Sequence, residues 1–133
     1  MNWILITAGA LMLFGAALHG VLGDDVLRKV GRLELPPNPF GGQTSTRIGL
    51  RITWHLGTIA FAVVGAWLVV IGFQPQSSFA LGVAYLSGTM LSCFGLLGGT
   101  VRIYRGGLIS LFKHPVLILI VSAALVWWGS TSL

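Results

Sequence analysis

Charge is the scarcest commodity in this sequence. Of 133 residues only 8 are Lys or Arg and 3 are Asp or Glu, about a third of the charged fraction in an ordinary soluble domain. A soluble globule built from this chain would have almost nothing polar to present to water. Cysteine is nearly absent as well: Cys93 stands alone, so no internal disulfide framework can form. What remains is overwhelmingly apolar, 55% by count with a mean hydropathy of +0.89, which excludes a disordered chain. The composition is that of an integral membrane protein, and the length suits one domain.

Four apolar runs approach the roughly 20 residues that a helix needs to cross a bilayer. They cover about residues 3–22, 52–73, 79–99 and 115–129, the last being the shortest. The expected fold is therefore all-α: a single four-span membrane domain, 1–133, organised as a four-helix bundle with short interfacial helices on the cytoplasmic side. No basic residue precedes the first run and no small-x-small cleavage site follows it, so it reads as a retained span rather than a signal peptide.

The positions of the few charges set the expected orientation. Arg28, Lys29, Arg32, Arg47 and Arg51 lie in the connection 23–51, and Arg102, Arg105 and Lys113 lie in 100–114. The connection between the second and third runs and both ends of the chain carry no basic side chain. By the positive-inside rule the basic connections are cytoplasmic and both termini face the periplasm of a bacterial inner membrane. The net charge of +5 then serves orientation and contact with anionic lipid. With no separate basic domain to present it, a nucleic-acid partner is not expected.

Within the first basic connection, Asp24 and Asp25 read as a cap for a short helix lying on the inner leaflet, with Val26, Leu27, Val30 and Leu33 on its apolar side. Pro36, Pro37, Pro39, Gly41 and Gly42 make residues 34–46 an irregular hinge or docking loop. The connection 106–113 repeats the interfacial theme, and His114 ahead of Pro115 reads as a cap for the last span.

Between lipid-embedded helices, close approach favours small side chains. On this ground Tyr85, Gly88, Ser92, Gly95 and Gly99 form the packed stripe of the third span, with Gly88, Ser92, Gly95 and Gly99 as the helix-packing residues and Leu91 facing lipid. The corresponding faces are Ala8, Met12, Gly15, Ala16 and His19 in the first span and His55, Thr58, Ala62, Gly65 and Val69 in the second. Cys93 reads as a small buried hydrophobe.

Chemistry-bearing residues are few. No Asp, Glu, Lys or Arg falls inside any run, so the charged machinery of ion-coupled or proton-coupled transport is missing. The three histidines fall at one level near the cytoplasmic ends of the spans. His19, His55 and His114, with a carboxylate nearby, form a donor set suited to a divalent transition metal. His19 and His55 alone would suit the two axial positions of a haem, and a proton or quinone role is a further reading. Against these stands a purely structural one, in which each histidine close to the membrane boundary bonds a backbone carbonyl or caps a helix and binds nothing.

The segments His19-Gly20-Val21-Leu22-Gly23, Arg51-Ile52-Thr53-Trp54-His55-Leu56-Gly57-Thr58 and His114-Pro115 resemble a group of small bacterial four-span membrane proteins of unknown function. That group has a Gly-Glu-Arg after the first span where this chain has Gly23-Asp24-Asp25. The resemblance implies the four-span fold and singles out the same three histidines without implying a reaction. The expected function is that of a non-catalytic accessory or assembly component of a larger membrane complex, whose partners are membrane lipids and other membrane-protein subunits or a second copy of the chain. The alternative is a haem-, metal- or quinone-binding redox module.

Overall fold

The computed structural model describes residues 1–36 and 41–133, and among these the regular structure is entirely helical. The elements are α1 (Trp3–Val30), α2 (Gly42–Phe73), α3 (Ala80–Gly106), the one-turn α4 (Ile109–Phe112) and α5 (Val116–Ser130). Three of them, α1, α2 and α3, are long and apolar enough to cross a membrane, whereas α5 has 15 residues and extends about 22 Å.

The helices overrun the apolar stretches that predict them. α1 continues through Asp24 and Asp25 to Val30, so the two acids lie inside one long helix and do not cap a separate one. Each acid instead pairs one turn onward, Asp24 with Arg28 (Oδ2 to Nε, 2.8 Å) and Asp25 with Lys29 (2.6 Å). An acid four residues before a base is the favourable order on a helix, and the bases complement the carbonyl end of the helix dipole. α2 begins at Gly42, ten residues ahead of the expected span, so residues 42–46 of the expected hinge are helical. The part of the hinge at 37–40 lies outside the described residues. α3 runs on to Gly106 and stops at Gly107, whose φ of 68° lets its N–H return to the Ile103 carbonyl at 2.8 Å. With ψ at 178° the backbone is extended at a positive φ that glycine alone adopts readily, and it turns the chain into α4.

α1 packs antiparallel along α2, α3 packs along α5, and a face of α1 against α5 joins the two pairs. The α1–α2 crossing is a backbone contact. A Cβ on Gly9 would lie 2.6 Å from the Gly65 carbonyl oxygen, and one on Gly65 would lie 2.9 Å from the Gly9 oxygen. Further along the same seam Gly72 lies against Ile6 and Gly23 lies beneath the indole of Trp54. At the end that holds both termini, buried Asn2 ties three helices together. Its N–H donates to the Gly72 carbonyl (2.7 Å), its Oδ1 accepts from the Leu5 N–H (3.2 Å), and its Nδ2 donates to the Gly129 carbonyl (2.8 Å).

The buried face of α1 is the expected one: Ala8, Met12 and Ala16 are buried, with Leu5 added. On α3, Gly88, Gly95 and Gly99 are buried as expected and Ser92 is partly so. Trp127 of α5 lies over Gly88 and donates its indole N–H to Ser92 Oγ at 3.0 Å, while Ile120 fills the space above Gly95. Two details of that face are corrected. Tyr85 is exposed, and Leu91, expected to face lipid, is fully buried, because the packed face lies about 60° around the helix from the small-residue stripe. Cys93 is exposed rather than buried. On α2 the displacement is larger. Phe61, Gly65, Leu68, Ile71 and Gly72 are buried, about a quarter turn from the face centred on Ala62.

Apolar side chains cover the outside of the helices too. Leu86 is 73% and Leu96 71% exposed, and similar residues line every long helix, far beyond the apolar patches of a soluble monomer.

Candidate functional site

Around His19 one group of polar and aromatic side chains joins α1, α2 and α3. The position of His19 on α1, seven residues beyond Met12, keeps it on the buried stripe, where it meets the half of α2 that carries Trp54, Thr58 and Phe61. Those three follow i, i+4, i+7 spacing and so share one side of the helix. His19 Nδ1 lies 2.9 Å from Thr58 Oγ1. The imidazole stacks on the Trp54 indole with centroids 4.4 Å apart and planes 10° from parallel. Trp54 also donates its ring N–H to the backbone carbonyl of His19 at 2.9 Å, so one indole grips both the side chain and the main chain of a single residue. Phe61 meets the imidazole edge-on at 5.6 Å, and Phe94 of α3 meets Phe61 edge-on at 5.5 Å. Aromatic pairs in these geometries gain about 0.5–1.5 kcal/mol each beyond their buried area, which pins the ring of His19 in one orientation.

The glycines make this possible. A Cβ at Gly23 would collide with the Trp54 indole nitrogen, one at Gly20 would crowd Thr58 Cγ2 at 3.3 Å, and one at Gly57 would touch His19 Cε1 at 3.7 Å. The segments 19–23 and 51–58, singled out separately in the sequence, are thus two halves of one interlock between α1 and α2.

Beside His19 is a cavity of about 190 Å³ lined by Met12, Phe61, Phe94 and Ile118 together with His114. His114 Nδ1 accepts the Val116 N–H at 3.2 Å, the capping role expected of it at the head of α5. Desolvation of its ring, and after that the positive charge of Arg102, hold its pKa below the ordinary histidine value. Each imidazole therefore engages the protein through Nδ1, and both residues line the same largely apolar space.

The expected three-histidine set does not assemble. His55 is exposed, because it lies about 100° around α2 from Trp54 and the buried face of α2 is a quarter turn from the expected one. Asp24 and Asp25 are engaged by Arg28 and Lys29. Among the described residues no group of three or more His, Cys, Asp or Glu side chains is placed to hold a metal ion. The haem geometry fits no better, since the face of His19 is covered by Trp54 and His55 does not line the cavity that His19 faces.

Thr58 is on the expected packed face of the second span and Trp54 falls in the segment 51–58, but the sequence reading pairs neither with His19 and leaves out Phe61, although the i, i+4, i+7 spacing of the three is there to be read. Asn2 gave no signal, being one polar residue at a chain end. No family model matches the chain, and no curated protein or solved structure is significantly similar to it.

Proposed function

We propose that the chain is a four-span integral protein of a bacterial inner membrane, with both termini on the periplasmic side, serving as a non-catalytic accessory or assembly component of a larger membrane complex. The observation that carries this reading is the outward-opening groove of about 400 Å³ between α3 and α5. Small residues line it, with Leu96 and Trp127 beside them. Gly95, Gly99 and Ser92 are its floor, already covered by Ile120 and Trp127, while Thr100 and Ala124 are exposed at its mouth and leave room for the close approach of another helix. Apolar side chains around every long helix and the collection of all eight basic residues in two connections support the membrane placement. The fourth span is α5. Being about 8 Å shorter than a typical hydrocarbon core, it requires local thinning of the bilayer or flanking residues that reach the interface. The likeness to small four-span bacterial membrane proteins agrees with this reading.

A photoreactive residue at Leu96, in cells, tests the proposal. A discrete protein adduct at that position, absent when the same residue is placed at Leu22, is the expected result. Adducts to lipid alone at both positions would overturn the assembly role.

A second reading, contact with a quinone head group, has one observation in its favour: His19 and His114 line the same cavity. A photoreactive quinone labelling Phe94 or Ile118 and competed by unmodified quinone would support it, and labelling spread evenly over the apolar surface would end it.

A further inference from the structure

Where α1 and α2 overrun their apolar stretches they form a basic hairpin, and between its arms is a second cavity, of about 410 Å³. Arg28 and Arg32 line it from one side and Arg47 and Arg51 from the other, with Leu27 and Ile48 among the apolar side chains between them. Arg47 and Arg51 are one turn apart on the same side of α2, and Arg32 lies in the turn that follows α1, two residues beyond its end at Val30. Like charges so gathered repel, and the antiparallel pairing of the arms brings all four to the same space. Among the described residues Arg28 alone of the four is in contact with a carboxylate, that of Asp24, whose charge also interacts with Arg51. The other ion pair, Lys29 with Asp25, lies outside the cavity lining, and Arg47 donates to the Leu33 carbonyl at 3.4 Å, so Arg32 and Arg47 line the cavity with no carboxylate paired to them.

We propose that this cavity is a binding site for a phosphate group. Guanidinium forks match the oxygens of a phosphate in pairs, and Arg surpasses Lys wherever such planar, two-point recognition is used. The connection uses Arg at all four lining positions and places its one lysine, Lys29, outside them. The apolar part of the lining suits a ligand that is not phosphate alone, and Arg51 directly precedes the apolar stretch of α2, at the depth where lipid phosphates lie in the membrane reading above. An anionic phospholipid and a free phosphate share the required chemistry; the lipid source rests on the membrane placement, whereas the cavity does not.

The test uses the full chain, reconstituted in vesicles of equal parts phosphatidylcholine and phosphatidylglycerol, re-extracted in neutral detergent and weighed intact by native mass spectrometry. Retention of one phosphatidylglycerol in preference to phosphatidylcholine is expected. Arg32→Gln and Arg47→Gln should each lower that retention roughly 5-fold, Arg47→Lys should lower it less, and Arg105→Gln, at the same end of the molecule but outside the cavity, should leave it unchanged. Equal losses with Arg105→Gln would replace the site with diffuse attraction, and equal retention of phosphatidylcholine would show that no anionic head group is selected; either result overturns the lipid-binding proposal. In a second arm inorganic phosphate is titrated against the detergent-solubilised chain. Thermal protection that needs Arg32 and Arg47, without lipid retention, assigns the cavity to free phosphate. Recovery of the chain in the soluble fraction without detergent would remove the membrane reading and the lipid source. A chain that stays in the membrane fraction and retains neither ligand removes the cavity instead.

Discussion

Replacing Gly9 by alanine adds one methyl group, yet it should be among the more damaging small changes in the molecule. The new Cβ would lie 2.6 Å from the Gly65 carbonyl oxygen and 2.8 Å from the Val69 nitrogen. Both are backbone atoms, so neither can rotate away. Reaching ordinary contact, which begins near 3.4 Å, requires α1 and α2 to separate locally by about 0.8 Å. A gap of that size forfeits a quarter to a half of each pairwise attraction of about 0.1–0.2 kcal/mol, and across roughly forty atom pairs at the crossing the loss is about 2 kcal/mol. Alanine returns up to about 1 kcal/mol through its better helix propensity, leaving a net destabilisation of about 1–2 kcal/mol. Gly82→Ala is the matched control, because a Cβ there meets nothing within 4 Å, and it should be neutral or stabilising. Reversible denaturation in detergent, followed by circular dichroism, compares the two variants. If Gly9→Ala proves as stable as Gly82→Ala, the backbone crossing at Gly9 and Gly65 is not where the helices meet.

Asn2→Ala should cost about 1–3 kcal/mol by removing a helix cap and a buried bond to the Gly129 carbonyl, with Asn2→Ser recovering only the cap; hydrogen exchange that leaves the end of α5 unchanged would contradict this. Trp54→Leu should release His19 and speed exchange in residues 19–23, whereas His55→Ala should do neither, and equal effects would mean that the His19 stack contributes nothing to the interlock. His114 has a folded pKa below its unfolded value of about 6.5, so the stability it lends is complete above that pH and declines as pH falls through the lower folded value. Protonation also takes Nδ1 away from the Val116 N–H. Exchange at Val116, corrected for its intrinsic rate, should therefore rise on acidification in the wild type and lose that dependence in His114→Ala; an unaltered pH profile in the variant would refute the capping role. Asp24, whose carboxyl is held below its usual pKa chiefly by the Arg28 hydrogen bond, should likewise lose its pairing as pH falls through that lowered value, visible as fraying of the last turns of α1 that Asp24→Asn reproduces at neutral pH.

The sequence by itself determined the helical class, the approximate places of the apolar stretches, the confinement of basic residues to two connections, and the packed side of α1. It also identified Gly88, Gly95 and Gly99, because a glycine recurring at helical spacing in an apolar helix has few uses other than close approach. Helix ends were less legible: Asp24 and Asp25 carry the signature of a cap, and only the pairing of each with a base one turn onward reveals a continuing helix. The rotation of α2 was decided by tertiary structure alone. That helix is apolar on nearly every side, so its pattern contains no polar face from which to read the buried one. Its orientation follows instead from the backbone contact of Gly65 with Gly9 and from the grip of Trp54 and Thr58 on His19. The same quarter turn leaves His55 outside, and the packing of α1 against α5 brings His19 and His114 to one cavity. Where every face of a helix is equally apolar, the neighbour with which it can make closest contact chooses the face.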